Sequence, residues 1–308
     1  MGALLCGMLL GAGNFAQAQS GTFTTLSYNI AGLPEIFSSL ESGRKPATRR
    51  ISCYLNTFDI VHVQEDYSYH AALYGSCADH PYRSPTSGGF LFGSGLNTLS
   101  RFPYRDWARV AWHDCAGVDC LLHKGFTLAR TRLAEGVYVD IYNLHAQARS
   151  KASAQAARRG NILQLATYIE AHSAGNAVIV MGDTNGRYTR DGDNLQELLR
   201  RGFTDVWISL IRGDEVPRPE SGAPACEPPV TRPDCEVVDK VFYRDNGAVG
   251  LRAVSYRIRQ DAVDAAGREL SDHRPIQVDW IFDTDPKGRA APLENGNAAR
   301  SPAECNRP

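Results

Sequence analysis

At six places in this chain a carboxylate, amide or imidazole closes or opens an apolar run. Asn29 follows Leu26-Ser27-Tyr28, and Glu65 closes the run 59–64. Asn143 and His145 end the run 137–144, while Asp183 and Asn185 follow 178–181. Asp239 interrupts Val237-Val238, and Asp272 with His273 precedes the final run. Buried strands do not end repeatedly in such groups unless the groups converge on a site. Their types suit one chemistry. Glu65, with Asn29 beside it, offers oxygen ligands to a hard divalent cation. His145 and Asn185 can donate hydrogen bonds to phosphoryl oxygens as charge grows on them. His273 can take a proton from water if a carboxylate orients its ring, and Asp239 suits that role. Together these are groups for metal-assisted hydrolysis of a phosphate ester.

Taken singly, each signal has a plainer reading. His62 lies inside a strand-like run and reads as a core histidine. Asp183-Thr184-Asn185 has the start of a calcium loop, but the glycine position is Tyr188, so that geometry fails. No nucleophile elbow, Walker loop or His-Glu-x-x-His motif competes. The order of the six places, taken jointly, carries the catalytic reading.

The elements that must position these groups are mostly strands. Alternating or continuous apolar stretches predict strands at 22–30, 59–65, 90–99, 126–131, 137–144, 177–181, 237–243, 251–258 and 276–282. Helical spacing marks 46–58, 154–172 and 194–201. Many strands and few helices, without strict alternation, predict an α/β sandwich built on packed sheets. The stretch 213–233, dense in Pro and Gly, reads as a long surface loop.

With 33 Lys+Arg against 34 Asp+Glu, the formal charge of −1 offers no global field to gather nucleic acid or anionic membrane. Hydrophobic residues at 43% and charged residues at 22% exclude a disordered or fibrous chain. The opening is apolar and reaches Ala16-Gln17-Ala18, a small-x-small cleavage pattern. Residues 1–18 therefore read as a signal peptide, 19–283 as one catalytic domain and 284–308 as a disordered tail. A secreted, extracellular chain is expected, or one in a periplasmic or vacuolar lumen. The eight cysteines fit that compartment. Cys6 leaves with the signal peptide, and Cys53 with Cys77, Cys115 with Cys120 and Cys226 with Cys235 are near neighbours, leaving Cys305. The absence of Cys-x-x-Cys argues against zinc.

The segments Ser27-Tyr28-Asn29-Ile30, Asp59-Ile-Val-His-Val-Gln-Glu65, Leu99-Ser100-Arg101-Phe102-Pro103, Asn143-Leu144-His145, Gly182-Asp183-Thr184-Asn185, Val238-Asp239-Lys240-Val241-Phe242 and Ser271-Asp272-His273-Arg274-Pro275 occur in one order. In that order the chain resembles the endonuclease/exonuclease/phosphatase superfamily, whose fold is that of deoxyribonuclease I. The resemblance implies a four-layer α/β sandwich with two packed mixed β-sheets flanked by helices. It also implies Mg²⁺, with Mn²⁺ or Co²⁺ as substitutes, held mainly by Glu65, and Asp272 completing the metal shell. His273 would be the general base paired with Asp239, and Asp183 would orient the attacking water or leaving group. Asn29, His145 and Asn185 would contact metal or phosphoryl oxygens.

Within the superfamily, Lys124-Gly125-Phe126 and Asn143-Leu-His-Ala-Gln147 are similar to elements of secreted bacterial sphingomyelinases. That makes Lys124 and Asn143 candidate substrate contacts and a phosphodiester the expected substrate, either a phospholipid head group or nucleic acid. Those enzymes carry an aromatic hairpin before the Ser-Asp-His motif. Here 260–270 is polar and holds no aromatic residue, so membrane contact by that route is not expected. The alternative, a secreted nuclease, would use the basic clusters at Arg44-Lys45, Arg49-Arg50, Arg149, Lys151, Arg158-Arg159, Arg187, Arg190 and Arg200-Arg201. A non-catalytic binding protein is the third reading, and the intact polar set speaks against it. A monomer with no obligate protein partner, and at most peripheral membrane contact, is expected.

Overall fold

The computed structural model describes residues 18–87, 93–219 and 230–284. The expected signal peptide up to residue 17, the expected tail beyond 284, Cys226, Cys305 and parts of the expected strand 90–99 and loop 213–233 lie outside the described residues.

The chain first lays down four strands of one sheet: β1 (Ser20–Asn29), β2 (Ile60–Gln64), β3 (Tyr82–Arg83) and β4 (Asn97–Ser100). It then builds the second sheet from β5 (Tyr104–Ala111), β6 (Gly125–Ala134), β7 (Val137–His145), β8 (Ala177–Asp183), β9 (Thr204–Asp205) and β10 (Asp239–Arg244). Finally β11 (Gly250–Ile258) and β12 (Ile276–Asp283) return to the first. The orders are β11-β12-β1-β2-β4-β3 and β5-β6-β7-β8-β10-β9. Each sheet holds one parallel pair, β1 with β2 and β7 with β8, among antiparallel neighbours. A parallel pair needs a crossover. α1 (Arg44–Tyr54) supplies it in the first sheet and α3 (Ala152–His172) in the second, with α2 (His70–Gly75) following β2. Two short helices, α4 (Gln196–Arg200) and α5 (Val206–Ile211), precede β10.

Strand alternation sorts the side chains into layers. Along β1, Leu26 and Tyr28 turn outward to meet Ala47 and Ile51 of α1, whereas Phe23 joins the core shared by the two sheets. Ile162, Leu165 and Ile169 of α3 cover the outer side of the second sheet. The result is the two-sheet, helix-flanked α/β sandwich expected from sequence.

The inter-sheet layer turns polar toward one edge. Asn143 of β7 donates to the backbone carbonyls of Val63 (3.0 Å) and Asn97 (3.1 Å) on the opposite sheet, and it accepts from Gln64 Nε2 at 2.8 Å. His62, fully buried on β2, has its pKa pushed down to about 3 by burial and stays neutral. The disulfides Cys53–Cys77 and Cys115–Cys120 match two of the expected pairs.

Replacing Asn143 by Leu removes its bonds to two buried carbonyls and the shortest bond of the Gln64 amide. Urea unfolding should show a loss of about 2–4 kcal/mol. A loss below about 0.5 kcal/mol would mean the amide does not hold the sheets together.

Candidate active site

Register places the polar strand ends side by side. Asn29 pairs with Gln64 in the parallel β1–β2 ladder, so Glu65 emerges at the same edge. His145 pairs with Asp183 in β7–β8, and Asp239, the first residue of antiparallel β10, pairs with Asp183 from the other side. β12 runs antiparallel to β1 and pairs Ile276 with Ser27, so the segment before it, with His273, passes the end of β1. Ser271 Oγ fastens that segment by donating to the Asn29 carbonyl at 2.7 Å.

At this edge His273 Nδ1 meets Asp239 Oδ2 at 2.8 Å, and its Nε2 lies 3.9 Å from Asp183 Oδ2. Asn29 Nδ2 donates to the same Asp183 oxygen at 3.1 Å. His145 Nε2 approaches Asp183 at 3.4 Å and Glu65 at 3.8 Å. The Asn185 amide N–H donates to Asp183 Oδ1 at 2.8 Å, and its side chain donates to the Ala146 carbonyl at 3.2 Å. Asp183 is thus gripped from both sheets.

Charge within the site follows from these neighbours. Burial and then the positive charge of Lys124 push the His145 pKa down to about 3, so His145 is neutral. Burial also disfavours charge on His273, but Asp239, and then Asp183 and Asp272, outweigh it and hold the imidazolium well above its ordinary range. Burial raises Glu65 and Asp239. Asp183 resists the same burial, because His145, His273 and Lys124 hold it below the usual carboxylate range.

Glu65 is held in an unusual backbone state, with φ of 61°. Gly32 donates its N–H to the Glu65 carbonyl at 2.9 Å, and a Cβ on Gly32 would lie 2.3 Å from that oxygen. Gly95 packs against the Tyr67 ring just beyond it, at φ of 67°, where a Cβ would meet the ring at 2.8 Å. Two glycines thus let neighbouring loops clamp a strained carboxylate at the site.

Not every expected residue stands in the cluster. Asn143 stands apart from it: its amide is bound within the inter-sheet layer and the side chain is fully buried. Lys124 is buried and its ammonium is bound to Asp119 at 2.9 Å. Its charge still acts on Glu65, His145 and Asp183. Asp272 is exposed, with a 3.4 Å contact from Ser271 Oγ, and sits at the rim. Sequence reasoning missed Asp119, which also receives the Ala148 N–H at 2.8 Å and so ties Lys124 to the loop after β7. It missed Trp112 too, whose indole N–H donates to the His145 carbonyl at 2.7 Å. Neither carries a motif, although Asp119 lies inside the Cys115–Cys120 loop.

A divalent cation fits these residues. Asp183, Asp239 and His273 each present a ligand atom within 4.8 Å of the others, and Asp239 Oδ1 is buried without a hydrogen-bond partner. Four carboxylates, Glu65, Asp183, Asp239 and Asp272, surround the mouth, an oxygen-rich donor set suited to a hard ion. A cavity of about 440 Å³ opens beside Asp239 and His273, walled by Leu40, Val237, Ile258 and Arg274.

In metal-free protein, Asp239→Asn removes the anion that holds the His273 proton. The His273 pKa, read by NMR of the imidazole, should fall by about 1–3 units. An unchanged value would mean that Asp239 does not set the charge of this ring.

Comparison with known proteins finds relatives of the sequence and of the fold. A sphingomyelinase of Mycobacterium tuberculosis (strain H37Rv) is 38% identical over 274 residues, which is 86% of this chain. The chain spans only about half (54%) of that relative's length. Among solved structures, a double mutant of the Staphylococcus aureus beta toxin with bound magnesium ions superposes with a TM-score of 0.59 at 16% identity, covering 84% of this chain and 99% of that one. D. rerio TDP2 complexed with a single-strand DNA product superposes at 0.61 with 18% identity, covering 84% and 98%. Both are similar in fold. The family model described as Endonuclease/Exonuclease/phosphatase family 2 matches residues 38–231. The chain belongs to the endonuclease/exonuclease/phosphatase family.

Proposed function

We propose that this protein is a secreted, Mg²⁺-dependent phosphodiesterase that hydrolyses a phospholipid head-group ester in the manner of a sphingomyelinase or phospholipase C. The observation that carries the reading is the Asp239–His273 pair set 3.9 Å from Asp183, with Glu65 and His145 at the same mouth. The lipid preference leans on the 38% identical sphingomyelinase.

In the proposed reaction, water attacks phosphorus in line with the leaving group. In the metal-free protein the surrounding carboxylates hold a proton on His273; with their charge engaged by a cation the ring would lose it, and His273 Nε2 then takes the water proton, while Asp239 fixes the ring through Nδ1 and balances the imidazolium that forms. Asp183, held by Asn29 and the Asn185 N–H, orients the water or the departing oxygen. Neutral His145 and the Asn185 amide would donate to phosphoryl oxygens, as the backbone and side-chain donors of an oxyanion site do. The phosphorus–oxygen bond to the lipid alcohol breaks, that alkoxide takes up a proton from solvent water, and His273 returns the proton it took to solvent. Bound Mg²⁺, held by Glu65 with Asn29 and Asp272 nearby, would draw charge from a phosphoryl oxygen. Mn²⁺ or Co²⁺ would substitute. The two disulfides support export, which rests on the N-terminal apolar segment. We propose a monomer with no obligate protein partner.

Part of the basic clusters counts against a nuclease, although Lys45, Arg49, Arg50, Arg149 and Lys151 face solvent. Arg44 is buried and donates to the carbonyls of Ala31, Ile30 and Leu270. Arg158 is buried against Asp193 at 2.7 Å. Arg190 donates to the Asn185 carbonyl and Asp193, Arg187 to the Glu236 carbonyl, and Arg200 with Arg201 pairs with Glu197. Guanidiniums tied to the fold do not grip a phosphate backbone.

A panel of sphingomyelin, lysophospholipid, single- and double-stranded DNA, RNA and inositol phosphates tests this. With Mg²⁺ the protein should release phosphocholine from mixed micelles and leave plasmid DNA intact, and chelator should abolish the release. His273→Ala and Asp183→Ala should each lower kcat by about a hundredfold or more. Plasmid digestion without phosphocholine release would replace the lipid reading with the nuclease one, and unaltered activity in both variants would remove the catalytic assignment.

A further inference from the structure

Among the described residues the four most exposed large apolar side chains are Ile36 at 83%, Leu121 at 68%, Phe37 at 65% and Val118 at 62%, and the next reaches only 42%. They occupy two short 3₁₀ turns, Glu35–Phe37 and Gly117–Leu121. Water-exposed groups of this size cost free energy in a soluble chain and, when clustered, mark a surface that meets something apolar.

Both turns hang from the catalytic edge. The first follows β1 beyond Asn29, and its Glu35 N–H donates to Tyr69 Oη, in the loop that follows Glu65. The second is bound to the loop after His145: Ala116 N–H donates to Gln147 Oε1 at 2.7 Å, and Asp119 receives Lys124 and the Ala148 N–H. One tip therefore stands on the Asn29 and Glu65 side of the mouth, the other on the Lys124 and His145 side. Each is braced. Glu35 accepts the Arg44 N–H at 2.7 Å, and the Cys115–Cys120 disulfide closes the second turn. Solvent-facing cations stand beside both: Lys45 in the first turn of α1, and Arg149 and Lys151 after β7. Apolar tips flanked by cations fit the boundary of a phospholipid bilayer, where the tips enter the acyl region and the cations meet lipid phosphates.

We propose that these two turns dock the protein on a phospholipid bilayer, with the catalytic mouth between them facing the head groups. The polar 260–270 segment takes no part. The choice of a bilayer as occupant rests on the lipid-phosphodiesterase reading, whereas the paired tips and their cations are observed independently of it.

Co-sedimentation with vesicles of equimolar phosphatidylcholine and phosphatidylserine, which contain no sphingomyelin, tests the docking without turnover. The wild-type protein should partition onto them. The pairs Ile36→Ser/Phe37→Ser and Val118→Ser/Leu121→Ser should each lower the partition coefficient by about tenfold or more. Melting temperature and hydrolysis of water-soluble bis-p-nitrophenyl phosphate should stay unchanged. Wild-type protein that stays in the supernatant, variants that sediment like wild type, or a wild-type dimer that the variants dissociate would each overturn the proposal. Tip-dependent sedimentation without phosphodiester cleavage would uphold the docking while the proposed activity fell. Cleavage of micellar sphingomyelin without tip-dependent sedimentation would do the reverse.

Discussion

A hydrogen bond of 2.8 Å crosses from one sheet to the segment feeding the other, joining Asp239 at the start of β10 to His273 before β12. A second crossing, Asn29 of β1 to Asp183 of β8 at 3.1 Å, lies beside it. Neither forms unless the two sheets pack face to face in one register, because a slip of a single residue in β1 or β8 turns Asn29 or Asp183 to the opposite face. The same layer holds Asn143 against the carbonyls of Val63 and Asn97. Packing of the sheets and competence of the site are therefore one structural problem.

The site is built against electrostatic cost. Glu65 and Asp239 are raised by burial, and Asp183 is kept ionised by its contact with His145, the His273 imidazolium and the nearby Lys124. Asp119 anchors that ammonium, so a buried ion pair outside the mouth helps to set the field inside it. A clamped Glu65 at positive φ adds backbone strain to the same few residues. Strain and gathered negative charge at a site are sustained by the rest of the fold, here two extensive hydrophobic cores. A cation entering this cluster would relieve the repulsion, which would link metal binding to stability.

Much of this was legible in the sequence because strand ends are where alternation stops. Asn29, Glu65, His145, Asp183, Asp239 and His273 each stand at such an end, and register does the rest. The helix α3 and the pairs Cys53–Cys77 and Cys115–Cys120 were equally readable. β5 was missed because its alternation is broken by a register shift between Arg105 and Ala108 and its faces are half exposed. α5 is a largely apolar run of six residues, which looks like a strand; its helical signal is the cap at Asp205, which accepts from Trp207 and Ile208. Asn143 shares a motif with His145 but is separated from it by a full strand period, and pairing with the facing sheet, not chemistry, claimed its amide. Arg44 and Arg158 read as surface charge because a sequence does not show that carbonyls and Asp193 receive them.

Groups from both sheets are proposed to act as one catalytic unit on a phosphodiester. The most direct measurement is the turnover of bis-p-nitrophenyl phosphate with Mg²⁺ by Asp183→Asn, His273→Gln and the double variant, each checked for an unchanged melting temperature. If the two groups serve one transition state, the double variant should be no slower than the worse single variant by more than about threefold. Losses that multiply, or a single variant that retains full turnover, would contradict that unity.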